Sequence, residues 1–423
     1  MMRSLGAGVL LVTCSASPVW GQPWQVFDMV TAGLPSNTVR AIAFGPDGDT
    51  WVGTDWGLCR YDGSTWVLYQ EGTSGLPEND IRALAFDPQG RLWIGLFSQG
   101  LVVKDGEDWH QYMPGTSPMP SEQVHNIVFD PVGNGWVCTT NGLARTDLDE
   151  WRIYNNTDTS YAGLMLPGVN IKDIVVREDG LACIGTLNAG FVYLTDTAVL
   201  VYNSFQNQLP DNTALGVAVD SDGDRWTACP YGGLVRFSGP YNNGLFFQFV
   251  TEFTGIPSNS LSDIVIDAAD RKIIATQNAG LTILAADNNT WTTYNTGNSG
   301  LPDNDLICVE LAPDGAIWTG TSEGGVARFD PVAAMDDDRL LPTPQVFPNP
   351  FDQDVTVHWS VHDRMFWSLN DASGRSLDQG FHLTGDPFHL SLGHLQPGVY
   401  TLSLTAGGGN SSMRLIRVPV GRN

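Results

Sequence analysis

Seven copies of one phrase, each opened by an apolar residue followed by proline, occupy most of this 423-residue chain. The second copy shows the phrase most fully, as LPENDIRALAFDPQGRLWIGLFSQGLVVKDGEDWHQY. The copies begin, at intervals of 42 to 47 residues, at Leu34, Leu76, Met119, Leu166, Leu209, Ile256 and Leu301. A repeat of this length is one supersecondary unit that buries its apolar face only by packing against its neighbours. The chain is therefore expected to fold as a repeat architecture.

Each copy predicts four short strands. In the first copy these are an apolar stretch at residues 39–44, WVGT at residues 51–54, a third stretch at residues 58–61, and a final run with the aromatic pair Trp66 and Tyr69. The first two strands are joined by GPDG, whose proline and glycine suit the φ angles of tight turns. No segment longer than a turn has helical periodicity, so the repeat region is predicted to be all-β. Four strands with a period in the forties are typical of a blade in a β-propeller.

The two ends of the repeat region complement each other. The seventh copy stops after its third strand, at Phe329, without an aromatic fourth run. Before the first copy stands PWQVF, in which Trp24 and Phe27 have the spacing of Trp66 and Tyr69. A ring of blades has free edges unless its ends pair. We therefore predict a seven-bladed β-propeller closed by pairing of the N- and C-terminal strands.

Segments of different character flank the predicted propeller at residues 22–330. Residues 1–21 have one early arginine, an apolar stretch and small residues before a polar start, which is typical of a signal peptide; lipidation at Cys14 is the alternative. Residues 331–344 are acidic and proline-punctuated, which indicates a linker. Residues 345–423 alternate apolar and polar residues between Gly and Pro turns, which predicts a small Ig-like β-sandwich.

Two families resemble these segments. The phrase LPxNxVxxIxxDPxGxxWxGTxxGL resembles the two-component-regulator propeller repeat, and the resemblance covers residues 24–330. The C-terminal segment resembles the type A sorting domain of type IX secretion cargo, through PNPF at residues 348–351, the turn at residues 371–374, LQPGVY at residues 395–400 and a basic apolar strand at residues 413–418. The second resemblance implies recognition by the type IX secretion machinery and a secreted or cell-surface protein. An accessory sandwich that binds carbohydrate is the alternative.

The charge of the chain excludes some partners. Forty-six acidic against 21 basic side chains give a formal net charge of −25. This charge argues against nucleic acid or an anionic membrane as a partner. After the leader, no run approaches the roughly 18 to 20 apolar residues of a membrane span, so no transmembrane segment is predicted in the mature chain.

One register position of the first strands carries a run of basic residues. The position after the first apolar residue holds, in the seven copies, Arg40, Arg82, His125, Lys172, Leu215, Ser262 and Ile307. Four consecutive blades thus place a potential cation at one height near the mouth of the central channel, where an arc of cations suits a carboxylate or sulfate group. The alternative is that these side chains pair with Asp80, Glu122 or Asp173.

Three aromatic residues mark the loops between second and third strands. These are Trp56, Phe97 and Tyr231, which we expect on the same face as the turns between blades. Aromatic faces stack on sugar rings, so the rim is a candidate binding surface for a polysaccharide. Packing of these rings against neighbouring loops is the alternative.

No local catalytic signature, metal-ligand cluster or phosphate loop is present in the sequence. We predict no cofactor, no metal site and no catalytic residue, and a propeller that binds an extracellular ligand, either a polysaccharide or a surface protein. Two other functions remain open. One is a secreted polysaccharide lyase or hydrolase, since propellers also host such enzymes, and its candidate residues are His125 with Arg82 and Lys172 on either side. The other is an extracellular sensor component.

Overall fold

The computed structural model of the chain divides into two compact units, residues 1–331 and 332–423. It describes residues 11–12, 24–157, 165–168, 170–206, 209–240, 245–331, 345–358, 364–371, 375–383, 388–406 and 409–418. Apart from residues 11–12, the predicted signal peptide lies outside the described residues, as does the predicted linker after Pro331.

Strands dominate the first unit. The chain begins with β1 (Leu11–Val12) and β2 (Trp24–Phe27), and the first sheet adds β3 (Val39–Phe44), β4 (Thr50–Thr54), β5 (Gly57–Tyr61) and β6 (Trp66–Tyr69). The second sheet contains β7 (Ile81–Phe86), β8 (Leu92–Leu96), β9 (Leu101–Asp105) and β10 (Asp108–Tyr112). The third contains β11 (Val124–Phe129), β12 (Gly135–Thr139), β13 (Gly142–Thr146) and β14 (Trp151–Tyr154). The fourth contains β15 (Ile171–Val176), β16 (Ala182–Thr186), β17 (Phe191–Leu194) and β18 (Val199–Tyr202), and a 3-10 turn, Ser204–Gln206, follows it.

The later copies continue the pattern. The fifth sheet contains β19 (Gly216–Val219), β20 (Arg225–Cys229), β21 (Gly233–Ser238) and β22 (Leu245–Phe249). The sixth contains β23 (Leu261–Ile266), β24 (Lys272–Thr276), β25 (Leu281–Leu284) and β26 (Trp291–Tyr294). The last sheet of this unit contains β27 (Leu306–Leu311), β28 (Ile317–Thr321) and β29 (Val326–Phe329).

The predicted four-stranded antiparallel unit is confirmed. In every copy neighbouring strands pair in chain order, and β1 extends the first sheet along β6. The sheet of β27, β28 and β29 takes its fourth strand from the other end of the chain, because β2 pairs antiparallel with β29 from Trp24 opposite Phe329 to Phe27 opposite Val326. Within the described parts of residues 11–330 the strands thus form seven sheets.

The DPxGxxW part of the repeat has a local chemical reason. In the turn after β7, Asp87 Oδ1 accepts hydrogen bonds from the backbone N–H groups of Gln89 and Arg91, while Asp87 Oδ2 accepts one from Trp93 Nε1 at 3.0 Å. The same indole bond joins Trp136 to Asp130 at 3.1 Å and Trp226 to Asp220 at 2.9 Å. One carboxylate thus shapes the turn and gives the buried tryptophan a partner, which a buried donor requires.

The glycine of the second strand permits close packing between sheets. A Cβ on Gly95 of β8 would lie 2.5 Å from Val124 Cγ1 on the first strand of the next sheet, and a Cβ on Gly53 would lie 2.5 Å from Ile81 Cγ2. Real Cβ atoms do not come so close, so the missing side chain lets consecutive sheets approach. The Trp-Gly pair of the repeat therefore builds the contact between blades.

The second unit consists of two sheets. Its strands are β30 (Gln345–Phe347), β31 (Asp354–His358), β32 (Arg364–Asp371), β33 (Ser376–Leu383), β34 (Phe388–Ser391), β35 (Gly398–Ala406) and β36 (Gly409–Arg417). Strands β30, β31 and β34 form one sheet, and the other has the order β33-β32-β35-β36. Residues of both sheets share one core, including Val355 and Leu390 from the first and Leu402 and Leu415 from the second.

The PNPF segment holds the last strand of this unit. Asn349 Nδ2 donates to the carbonyl of Arg414 at 2.8 Å, and Asn349 Oδ1 accepts from the N–H of Ile416 at 2.9 Å. Phe351 is 1% exposed and its backbone N–H donates to the carbonyl of Ile416. The motif therefore fixes the terminal basic strand to the sandwich core. Among the described residues of the whole chain, no helix is long and apolar enough to cross a bilayer.

Candidate functional site

A cavity of about 730 Å³ lies where the first strands of the sheets converge. All seven residues of the predicted register position line it, namely Arg40, Arg82, His125, Lys172, Leu215, Ser262 and Ile307. The structure therefore brings the four predicted basic residues together at one cavity. We call these seven residues the mouth ring.

A β-bulge positions most members of the mouth ring. Pairing between β3 and β4 skips Arg40, because Val39 pairs with Thr54 and Ala41 with Gly53. The same shift skips Arg82, His125, Lys172, Ser262 and Ile307 in their sheets. A bulge leaves one residue unpaired and re-aims its side chain. Sequence periodicity locates the register position but not the bulge, since a bulge depends on the pairing of two strands.

Two arginines of the ring share one carboxylate. Arg82 Nε and Nη2 donate to Asp80 Oδ1 at 2.8 Å and to Oδ2 at 2.9 Å, and Arg40 Nε lies 3.4 Å from Asp80 Oδ1. The three side chains are about one quarter exposed. Pairing with Asp80, the alternative raised by the sequence, is therefore present. Two guanidinium groups against one carboxylate still leave a net positive charge at this side of the mouth.

His125 and Lys172 form the other half of the basic arc. Both ring nitrogens of His125 lie 3.5 Å from Lys172 Nζ. Burial, followed by the charge of Lys172, lowers the pKa of His125 to about 4. At neutral pH His125 is thus uncharged, which corrects its interpretation as a potential cation. The cations of the arc are Arg40, Arg82 and Lys172.

Lys172 differs from the arginines in its partners. Burial and the charge of Arg82 lower its pKa. Among the residues that the structure describes, no carboxylate forms an ion pair with its ammonium group. The adjacent Asp173 is engaged elsewhere, accepting from the backbone N–H of Val217 at 2.7 Å and from Asn126 Nδ2 at 2.5 Å. Lys172 is thereby the cation of the arc with the most capacity for an added anion.

A group of acidic residues, the acidic tier, also lines the cavity. It consists of Asp173, Asp263 and Glu310. Burial, with the like charge of Asp263 as the second cause, raises the pKa of Asp173 to about 7, and burial raises the pKa of Asp263 to about 6. Burial among protein atoms also raises the pKa of Glu310, although its side chain is exposed to the cavity. Two of these residues could have been found from the repeat alignment, because Asp173 and Asp263 directly follow mouth-ring positions.

The three rim aromatics are not equivalent. Phe97 is 40% exposed and lies under the guanidinium of Arg82, whose Cζ is 4.4 Å from the ring centroid. Trp56 and Tyr231 are 62% and 80% exposed, and none of the three rings is among the residues that line the cavity. The structure thus joins Phe97 to the mouth ring and leaves the other two rings to solvent outside it.

The fold, a set of four-stranded antiparallel blades around a shared cavity with a separate sandwich, defines a propeller with an accessory β domain. Two family models match it. The two component regulator propeller model matches residues 33–56 and 75–98, and the secretion system C-terminal sorting domain model matches residues 345–418. Both resemblances predicted from the sequence are confirmed. The sorting domain indicates export by type IX secretion and a secreted or cell-surface location.

Solved structures share the fold at low sequence identity. The extracellular domain of a hybrid two component system from B. thetaiotaomicron is 18% identical with a TM-score of 0.65, and the alignment covers 96% of this chain and 58% of that one. PorZ, a surface component of the type-IX secretion system of Porphyromonas gingivalis, is 17% identical with a TM-score of 0.57, covering 93% of this chain and 60% of PorZ. Virginiamycin B lyase from Staphylococcus aureus is 14% identical with a TM-score of 0.56, covering 72% of this chain and 98% of the lyase.

This chain spans less than two thirds of the length of the first two of these proteins. No curated protein matches its sequence. The likeness to solved structures is therefore evidence for the fold alone.

Proposed function

We propose that this protein is a secreted or cell-surface propeller that binds an anionic extracellular ligand at the mouth ring. In this proposal residues 1–21 are a signal peptide, residues 22–330 a closed ring of seven blades, residues 331–344 a linker, and residues 345–423 the domain handed to the type IX secretion machinery. The proposed contact residues are those of the basic arc, Arg40, Arg82, His125 and Lys172, with Phe97 beside them.

Three contacts support closure of the ring. Strand β2 pairs with β29 across the chain ends. The first strand of the last sheet, β27, contacts β3 of the first sheet. A Cβ on Gly320 would lie 2.6 Å from the carbonyl oxygen of Val39, as close an approach as those between consecutive sheets. These contacts support a ring in which the last sheet packs against the first as consecutive sheets do.

The observation that carries the binding proposal is the basic arc itself. A chain with a formal net charge of −25 places three cations at one cavity and supplies the arc with one paired carboxylate, Asp80. Walls of low dielectric strengthen the field of such an arc. Carboxylate and sulfate groups fit this field, and both polysaccharides and surface proteins present them. A long ligand that leaves the mouth reaches the solvent-exposed rings of Trp56 and Tyr231 on the proposed rim.

The test uses Arg82→Ala and Trp56→Ala in the purified chain against a panel of sulfated and uronate polysaccharides and of acidic peptides. We expect Arg82→Ala to weaken binding of the active probe by about tenfold or more, because a hydrogen bond to a charged group is worth about 1.5–3 kcal/mol. Trp56→Ala should weaken only ligands long enough to reach the rim. The matched control is Arg152→Ala on the outer strand β14, which should leave binding unchanged. Equal binding by Arg82→Ala and the control would place the site elsewhere.

A second candidate function, a lyase acting on a uronate polysaccharide, rests on the state of His125. A histidine with a pKa of about 4 is an unprotonated base at neutral pH. In β-elimination His125 would take the proton next to the uronate carboxylate, Arg82 would offset the carboxylate charge, and Lys172 would give a proton to the departing sugar oxygen as the C–O bond breaks. The reaction leaves an unsaturated sugar, detected by ultraviolet absorbance. Absence of this product with every uronate polymer, or its persistence in His125→Ala, would exclude this function.

A further inference from the structure

The mouth ring has two unlike halves. The first four blades contribute the basic arc, whereas the last three contribute Leu215, Ser262 and Ile307, all partly exposed to the cavity. The hydroxyl of Ser262 donates to the carbonyl of Leu306 at 2.6 Å, so its proton is already engaged. The mouth-ring residues of these three blades are therefore mainly apolar.

This part of the ring fits a sugar poorly. Every sugar ring carries several hydroxyl groups, and a hydroxyl that loses water against Leu215 or Ile307 without a hydrogen-bond partner is unfavourable. A ligand with a carboxylate at one point and an apolar group beside it satisfies both halves at once.

The neighbouring polar residues suit a peptide unit. Gln277 and Asp305 line the same cavity. Gln277 Oε1 accepts from Ser260 Oγ at 2.7 Å, which leaves the amide nitrogen of Gln277 to donate. An amide donor and a carboxyl acceptor in one cavity can pair with the carbonyl and N–H groups of a peptide backbone. A cavity of about 730 Å³ also lies within the usual size range of small-ligand sites.

We infer that the mouth ring takes the free C-terminus of a peptide or protein whose last residue is apolar, with the carboxylate at Lys172 and Arg82 and the side chain against Leu215 and Ile307. This inference rests on the proposed binding function and specifies its ligand. Lys172 contributes most to recognition of the carboxylate, because Arg82 already holds Asp80 in a bidentate pair.

The test titrates the purified full chain by calorimetry with three probes. They are acetyl-Ala-Ala-Leu with a free carboxylate, the same peptide as its C-terminal amide, and acetyl-Ala-Ala-Gly with a free carboxylate. We expect the leucine acid to bind about 10- to 100-fold more tightly than the amide. It should also bind at least about 10-fold more tightly than the glycine acid, because the glycine acid lacks the apolar side chain that contacts Leu215 and Ile307.

Two variants assign the contacts. Lys172→Met should lower the affinity for the leucine acid most of the way to that for the amide, since Arg82 remains, and should leave the affinity for the amide unchanged. Leu215→Asn should weaken the leucine acid but not the glycine acid, and Arg152→Ala is the control for both. The comparison of acid with amide uses the unmodified chain, so it decides the inference even if a variant fails to fold.

Each result has one meaning. The peptide inference is overturned if the acid and the amide bind equally. It is also overturned if oligogalacturonate binds through Lys172 while the leucine acid does not bind, but that result leaves the anion-binding proposal standing. Failure of every anionic probe, peptides and polysaccharides alike, overturns both.

Discussion

Replacing Phe27 with alanine tests the proposal that β2 closes the ring. Phe27 is 7% exposed and lies between the last sheet and the first. Its ring centroid is 5.7 Å from that of Trp318 in a stacked arrangement, 5.4 Å from Trp66 and 5.1 Å from Tyr61. Removal of this side chain therefore opens a space on both sides of the junction between chain ends.

The expected loss follows from the size of the deletion. Phe-to-Ala changes in packed cores cost about 3–5 kcal/mol in the free energy of unfolding. With an unfolding entropy of about 2.1 cal/mol/K per residue, a unit that spans residues 1–331 melts about 1.5 °C lower for each kcal/mol. Phe27→Ala should thus lower the melting temperature of the propeller by about 4–8 °C.

Differential scanning calorimetry of the purified chain measures this shift, since it resolves the transition of each unit. The matched control is Phe253→Ala, which deletes the same side chain at a position that is 86% exposed and should shift the transition by less than about 1 °C. A shift for Phe27→Ala no larger than that of the control would refute the argument that β2 closes the ring. Deletion of residues 1–27 should have a larger effect, because it also removes the pairing with β29.

Three further outcomes test the repeat and the channel. Gly95→Ala places a Cβ 2.5 Å from Val124 Cγ1 and should cost about 1–3 kcal/mol by overpacking, measured by urea unfolding. Trp93→Phe removes the donor to Asp87 and should cost about 1–3 kcal/mol in the same assay; a neutral result would mean that this bond adds no stability. Glu310→Gln should leave the melting temperature unchanged at pH 4 and raise it at pH 8. The reason is that folding raises the pKa of the Glu310 carboxyl, so the folded protein loses stability as the pH rises from the unfolded-state pKa of this group through its folded-state pKa. An equal gain at both pH values would contradict a raised pKa for Glu310.

The basic arc shows how far the sequence led toward the candidate site. Aligning the repeats predicted that Arg40, Arg82, His125 and Lys172 occupy equivalent positions, and all four line one cavity. The sequence did not predict their state, because Asp80 neutralises part of the arginine charge and burial beside Lys172 keeps His125 uncharged. Charge states depend on distances between blades, and those distances are not encoded within any one repeat.

The rim shows the same division. Trp56, Phe97 and Tyr231 lie in equivalent loops of the sequence, yet Phe97 stands one register position earlier than the other two and is the one that contacts a mouth-ring residue. A shift of one residue in a loop changes which side chain turns toward a neighbouring blade. The aligned loops alone gave no means of ranking the three rings.

The sequence by itself determined the repeat unit, its four strands, its turns and the C-terminal sorting domain, because turn chemistry and strand alternation operate between residues close in the chain. Tertiary structure decided the rest. Consecutive mouth-ring residues stand 42 to 47 positions apart in sequence, and their shared carboxylate and the opposing apolar residues exist only where several blades meet. The proposed recognition of a ligand at this ring would depend on those contacts between blades, and the repeated residues of the chain hold them in place.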